Sequence, residues 1–398
     1  MISLLRKTIL PKHWLIFWIF ATTLLLFLIG FFLLNPLWKA YGIHVPGEPN
    51  TKADFTFPVD GVFYIRNAEL GYRWSAKVPT SIWFHPLVSW LIEILPDEIP
   101  ANWRFYLINL ASVPLSLFFV YKYAENVLDI PIKPVLIPFI VLIPGGLNMA
   151  IGNAETTALL FNTLVFIAIF ENRSLAIIFL LGALAILTKP NALYLVAPLA
   201  VYSFYDFLAK DKISIARYLS SIAGILVGWL GWILLVDTMS GQFGTYWQAR
   251  QFGSIPLYAG FLTLTYRAIE AISLGNLGES LKYITAFLIP IVDLWLALLI
   301  PFKNEKHRIA SIAGIILLLL ITFLISNPNK VIVYIMTLPS HLIIGFSVLQ
   351  LGIQSFEKRS ISKKDNSITT KVAFFFYILF SIGMCIFFIF GTAKEWYY

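Results

Sequence analysis

The stretch Trp14-Leu-Ile-Phe-Trp-Ile-Phe-Ala-Thr-Thr-Leu-Leu-Leu-Phe-Leu-Ile-Gly-Phe-Phe-Leu-Leu34 holds no charged side chain. A helix needs about 20 predominantly apolar residues to cross the ~30 Å hydrocarbon core of a bilayer, and this run supplies them. It outruns the apolar core of a signal peptide, about 7–15 residues, and no small-residue cleavage site follows, so it reads as a retained span. Comparable runs recur along the chain at about 104–122, 134–148, 154–170, 174–189, 190–207, 217–236, 283–301, 309–326, 331–353 and 372–390.

Composition agrees with the pattern. The chain has 398 residues, 59% of them hydrophobic and 13% charged, with a mean hydropathy of +0.81. A globular domain carries about 25% charged residues. Half that charge cannot clothe a soluble body, which excludes a soluble enzyme, a disordered chain and a fibre. The expected fold is all-α: one integral membrane domain over 1–398, with about eleven to thirteen transmembrane helices and juxtamembrane helices in the outer loops.

The net charge is +8. Most basic residues sit in short loops, where membrane orientation explains them better than nucleic-acid binding does. Lys358, Arg359, Lys363, Lys364 and Lys371 place their loop in the cytoplasm, and alternation puts Arg173, Lys210, Lys212, Lys303, Lys306 and Arg308 there too. The two long connections, Asn35–Ser81 and Asp237–Lys282, then face outside, as expected for a multi-pass protein of a plasma or inner membrane. The run Ile82–Leu95 is short for a crossing. Either it dips in and returns, or the Pro-rich run 134–148 is the half-helix. Cys385 stands alone, so there is no disulfide framework and no thiolate metal site.

Ionisable groups at membrane depth are expensive, and each is a candidate for function. In the first long loop, Asp60 lies among aromatics, with Tyr64, Arg66 and Glu69 following at helical spacing. A carboxylate among apolar neighbours suits general-base work; Asp is equally a favoured cap for a helix over 61–70. His85, beside Pro86, is open to proton shuttling or to a structural bond with a loop carbonyl, and no second ligand nearby argues for a metal. Glu155 opens a helix whose dipole favours negative charge. Lys189 precedes the helix-breaking Pro190 and is open to snorkelling or to holding a phosphate. The segment 240–253, with Trp247 and Arg250, alternates aromatics, amides and cations. That composition fits a sugar or phosphate platform and also an interfacial belt.

These residues, taken in order, resemble the GT-C superfamily of membrane glycosyltransferases. The nearest likeness is the branch containing the second mannosyltransferase of GPI-anchor synthesis and its prokaryotic relatives. The likeness lies in Asp60 followed by Tyr64 and Gly71-Tyr72; in Pro86, Leu87 and Leu91; in Arg104 before the next span; in Ala154-Glu155-Thr156-Thr157 leading to Phe161; in Leu187-Thr188-Lys189-Pro190-Asn191-Ala192; and in the loop from Gly241 to Gly253. It covers roughly 14–260, a catalytic module, and fades over the C-terminal helices 261–398. Lys189 stands where the family often has arginine, Ala192 where it has glycine, and Val59 where tryptophan is usual.

The resemblance implies transfer of a hexose, mannose-like, from a polyprenyl-phosphate carrier to a lipid-linked or envelope glycan on the non-cytoplasmic face. It implies Asp60 as catalytic base and no metal cofactor. It implies Glu155, Lys189 and Arg250 as the lining of the donor pocket, against the membrane lipid carrier; Tyr64, Arg66, Glu69, His85, Arg104 and Trp247 are further candidates for substrate contact. A transporter or flippase would need polar groups at mid-membrane in both halves, whereas these acids gather toward one face. A polysaccharide polymerase or ligase would share the same outer site.

Overall fold

The computed structural model describes residues 10–34, 60–72, 82, 84–143, 145–150, 154–247, 266–267, 269–275, 277–300, 302, 304–325, 335–357, 375, 377–379 and 382. Every regular element among them is helical. The main helices are α1 (Leu10–Leu28, prolonged as a π-helix over Ile29–Leu34), α2 (Asp60–Leu70), α3 (Leu87–Ile94), α4 (Ala101–Asn126), α5 (Ala154–Phe170), α6 (Leu175–Thr188), α7 (Val196–Leu208), α8 (Lys212–Ser240), α9 (Leu277–Leu299), α10 (Glu305–Ile325) and α11 (Pro339–Glu357). Leu- and Ile-rich runs favour helix, and in lipid a helix satisfies its own backbone polar groups. Segments His13–Leu33, Ala101–Asn126 and Lys212–Ser240 are long and apolar enough to cross a membrane; α5 and α6 are shorter apolar helices.

Prolines shape the exceptions. The run Pro134–Leu142 winds as a 3-10 helix with Pro138 inside it, and a second 3-10 turn covers Gly146–Met149. At ~2.0 Å per residue the first piece is about 18 Å long, and the eight-residue α3 is about 12 Å long at ~1.5 Å per residue. Both candidates for the half-crossing are therefore short.

α5 forms the axis of the core, with nearly every residue buried between α4 and α6. A helix apolar on all sides belongs in the interior. α8 packs along α6 through small residues: a Cβ built on Gly182 would lie 2.5 Å from the Ser221 carbonyl oxygen, and one on Gly228 would lie 2.7 Å from Ile186 Cγ2. Small residues let helix backbones approach closely in lipid. Gly241, at φ +66°, ends α8 in the left-handed conformation.

Two ends of this bundle differ chemically. Around the start of α8, Lys122 and Arg173 pair with Glu171, Arg217 donates to Asn172, and Lys306 pairs with Asp206. Lys306 also lies 5.3 Å from the Tyr202 ring centroid and 5.7 Å from that of Tyr218. These are the loops whose charge the sequence assigns to the cytoplasm. At the opposite end, Tyr64, Phe84, Val88, Ile92, Phe105, Tyr106 and Ala154 form an apolar cluster that seats α2 and α3 on the starts of α4 and α5.

Candidate functional site

The site grows from one break in the backbone. Pro190 disfavours helical geometry for the residue before it, and Lys189 is extended, at φ −153° and ψ 143°. Proline also has no N–H to return to the carbonyl four residues back, which leaves the Ile186 oxygen without its helical donor. His85 fills that gap: its Nδ1 bonds the Ile186 carbonyl across 101 residues of chain. A carbonyl only accepts, so Nδ1 carries the proton and Nε2 is the acceptor face, with the Tyr246 hydroxyl 3.3 Å away. Trp229 Nε1 reaches the same hydroxyl at 3.4 Å. His85 thus joins the segment before α3, the end of α6 and the segment after α8.

Lys189 is the next step. Its side chain is 5% exposed and pairs with Glu155, itself 2% exposed, in the first turn of α5. Burial of two charges is tolerable here because they answer each other and because the carboxylate stands at a helix N-terminus. Glu155 Oε1 takes the lysine. Oε2 is buried and has no hydrogen-bond partner among the described residues.

Two turns along α5, Asn162 makes a second rung to the same partner segment. Its Nδ2 donates to the Tyr194 hydroxyl at 2.7 Å and to the Thr337 carbonyl at 2.9 Å. Since that carbonyl can only accept, the amide orientation is fixed and Oδ1 is the remaining acceptor. Asn191 Nδ2 donates to Thr337 Oγ1 at 2.6 Å. Asn162 Oδ1 and Asn191 Oδ1, like Glu155 Oε2, are buried without a partner among the described residues. The seam between α5 and the 3-10 turn Pro190–Leu195 therefore carries one buried cation at Lys189 and, spread over two turns of α5 and the start of that 3-10 turn, acceptor oxygens that lack donors among the described residues. Such a set of groups matches in chemistry a ligand with an anionic group and several hydroxyls.

The other expected residues fall as follows. Asp60 is the first residue of α2, so the helix starts on it rather than one residue later; its side chain lies outside the described set. Tyr64 is 1% exposed, stacked on Phe105 with centroids 6.0 Å apart, and its carbonyl accepts from Ser89 Oγ at 3.0 Å. It is core, and it ties α2 to α3. Arg66 is half-buried and Glu69 exposed on α2.

Arg104 donates from Nη1 to the carbonyls of Ile92 (3.1 Å) and Leu95 (3.2 Å) and to Asp97 Oδ1 (3.0 Å). It serves the end of α3, where a helix leaves carbonyls unsatisfied. Trp247 is 44% exposed and sits edge-on to Trp229 and Tyr246. Arg250 lies outside the described residues. The structure brings together His85, Glu155 and Lys189 within adjoining turns, with Asp60's helix seated on the same cluster as Ala154.

Sequence reading gave no role to Asn162, Tyr194, Thr337 and Asp237, and took Asn191 only as part of the segment 187–192. Asn162 was discoverable as the polar residue seven positions after Glu155, hence on the same helix face. Asp237 accepts from Gly244 N at 2.9 Å and fixes the segment that carries Tyr246. Among the described residues no three His, Cys, Asp or Glu gather as a metal site. No protein-family model, curated protein or solved structure matches this chain.

Proposed function

We propose that the protein is a membrane glycosyltransferase that takes a hexose from a polyprenyl-phosphate carrier and passes it to a lipid-linked or envelope glycan on the non-cytoplasmic face. One observation carries the reading: the buried Glu155–Lys189 pair on the same seam as Glu155 Oε2, Asn191 Oδ1 and, two turns along α5, Asn162 Oδ1, each buried without a hydrogen-bond partner among the described residues. Lys189 supplies the cation that a phosphate needs, and sugar hydroxyls supply the donors that the oxygens want. The site stands at the bundle end opposite the basic loops, the end that the positive-inside pattern puts outside. In this reading Asp60 removes the proton from an acceptor hydroxyl, and the freed oxygen attacks the anomeric carbon. The bond from that carbon to the carrier phosphate breaks, and the departing phosphate carries its charge toward Lys189, with Arg250 as a second cation. Glu155 holds Lys189 in place, and His85 holds the turn from which Lys189 projects.

The test is transfer by purified full-length protein in detergent, using a polyprenyl-phosphate hexose and extracted lipid-linked acceptors. Asp60→Asn should fold and lose transfer by about 10²–10⁴-fold, the range of general acid–base contributions. Near-normal turnover sinks Asp60 as the base. Passage of the carrier across vesicle membranes without a new glycosidic bond would establish a flippase instead.

A further inference from the structure

The C-terminal helices hold a second buried acid and base, apart from the residues above. Asp293 stands in α9 and His341 in the first turn of α11. Their side chains are 1% and 0% exposed, and His341 Nδ1 lies 2.5 Å from Asp293 Oδ2. Asp293 Oδ1 is buried with no hydrogen-bond partner among the described residues. Among the described residues the titratable groups acting at this place include the pair itself and Tyr377, whose hydroxyl abuts Gly345, one turn beyond His341 on α11. No Lys or Arg among the described residues is paired with Asp293.

One proton shared between an acid and an imidazole allows two neutral arrangements. A carboxylate beside an imidazolium leaves negative charge on Oδ1 with no donor to meet it, inside an apolar interior that penalises exactly that kind of state most heavily. A carboxylic acid beside a neutral imidazole places its O–H on Oδ2, donating to Nδ1, and leaves Oδ1 as an uncharged carbonyl. The unmet oxygen is far less costly in the second arrangement. An ionisable residue at such depth is a candidate for function by default.

We propose that Asp293 and His341 form a proton-binding site in the apolar interior, the proton resting on Asp293 Oδ2 and donated to His341 Nδ1. Transfer within the pair breaks the O–H bond and forms N–H, giving carboxylate and imidazolium. Loss of the proton to bulk leaves one buried negative charge, and α11 must then shift or admit water. His341 lies four residues after Thr337, whose carbonyl and hydroxyl hold Asn162, Asn191 and Tyr194. The charge state of the pair therefore bears on the start of α11, two residues after Thr337, which closes the seam.

The experiment is infrared spectroscopy of the full-length protein in detergent, in H₂O and D₂O, with and without carboxyl-¹³C aspartate. At neutral pH the wild type should show a deuterium-sensitive carboxylic-acid band that moves with the label. Asp293→Asn should remove that band and keep the melting temperature within a few degrees, because the amide donates to Nδ1 as the acid does. His341→Gln should shift the band. Absence of a labelled acid band, its persistence in Asp293→Asn, or its indifference to His341→Gln overturns the proposal. Should Asp293→Asn fail to fold, the labelled wild type and His341→Gln still decide. None of these readouts involves sugar transfer, so their outcome is independent of the function proposed above.

Discussion

Removing either partner of Glu155–Lys189 strands a charge in the interior. The side chains are 2% and 5% exposed, so solvent screening does not rescue the survivor. Breaking a buried pair by deleting one member costs about 3–5 kcal/mol, through desolvation of the remaining charge or its forced neutralisation. Unfolding entropy of about 2.1 cal/mol/K per residue over 398 residues converts this to a fall in melting temperature of roughly 4–6 °C. Glu155→Gln and Lys189→Met should each show a drop of that size by thermal unfolding in detergent. The double variant should recover most of it, because exchanging a buried pair for uncharged groups of similar volume is often neutral or better. The cycle should therefore be strongly non-additive. Additive losses, or a single variant within about 1 °C of wild type, would refute the claim that the charges are buried and mutually dependent. The same double variant separates structure from chemistry: stability returns while transfer stays lost. Recovery of both would remove the pair from the proposed mechanism.

His85→Ala should cost about 1–3 kcal/mol by leaving the Ile186 carbonyl without a donor, and His85→Asn should restore part of it if the amide reaches that oxygen; thermal unfolding reads both. Arg104→Met should lower stability by a similar amount while the folded fraction keeps its turnover per molecule, since Arg104 bonds only the end of α3 and Asp97. Gly182→Ala should force α6 and α8 apart by about 1 Å, at about 1–3 kcal/mol, and a disulfide cross-link engineered across that seam should form more slowly. Asp211 caps α8 by accepting from Ser214, and those bonds hold its carboxyl below the usual aspartate range. The cap therefore contributes stability above about pH 4 and loses it as the pH falls through its depressed value, so hydrogen exchange at the start of α8 should quicken below that pH in wild type and be insensitive to it in Asp211→Asn.

How much of this was legible in the sequence depends on distance along the chain. The helical architecture was, because apolar periodicity is local and lipid leaves the backbone few alternatives. The break at Lys189–Pro190 was legible for the same reason, since proline acts on its own neighbours. Its consequence was not. The carbonyl that Pro190 frees is met by a histidine 101 positions upstream, and no spacing rule connects them. Glu155 and Lys189 were each readable as charges at helix ends, yet their pairing across 34 residues is a property of how α5 and α6 meet. Asp293 and His341 went unnoticed because each is a single polar letter inside an apolar run, where the average over the window hides it.

Two residues that read as chemistry turn out to complete the backbone, and this sharpens the meaning of the rest. Arg104 meets carbonyls at the end of α3, and His85 meets the carbonyl that Pro190 leaves behind. His85 Nδ1 and Arg104 Nη1 are thus occupied by main-chain oxygens, Arg104 Nη1 by Asp97 as well, while Arg104 Nε is buried with no hydrogen-bond partner among the described residues. Lys189 and Glu155 pair with each other across the seam: they bridge α5 to the extended residue before Pro190, and Glu155 Oε2 is buried with no hydrogen-bond partner among the described residues. An apolar pair would hold those two elements at least as firmly. A buried charged pair where an apolar one could serve, on a seam with amide oxygens that lack donors among the described residues, is what the proposed ligand would complete. That is why the proposed phosphate and sugar contacts centre on this seam, with Arg250 of the loop that follows α8 as the second cation.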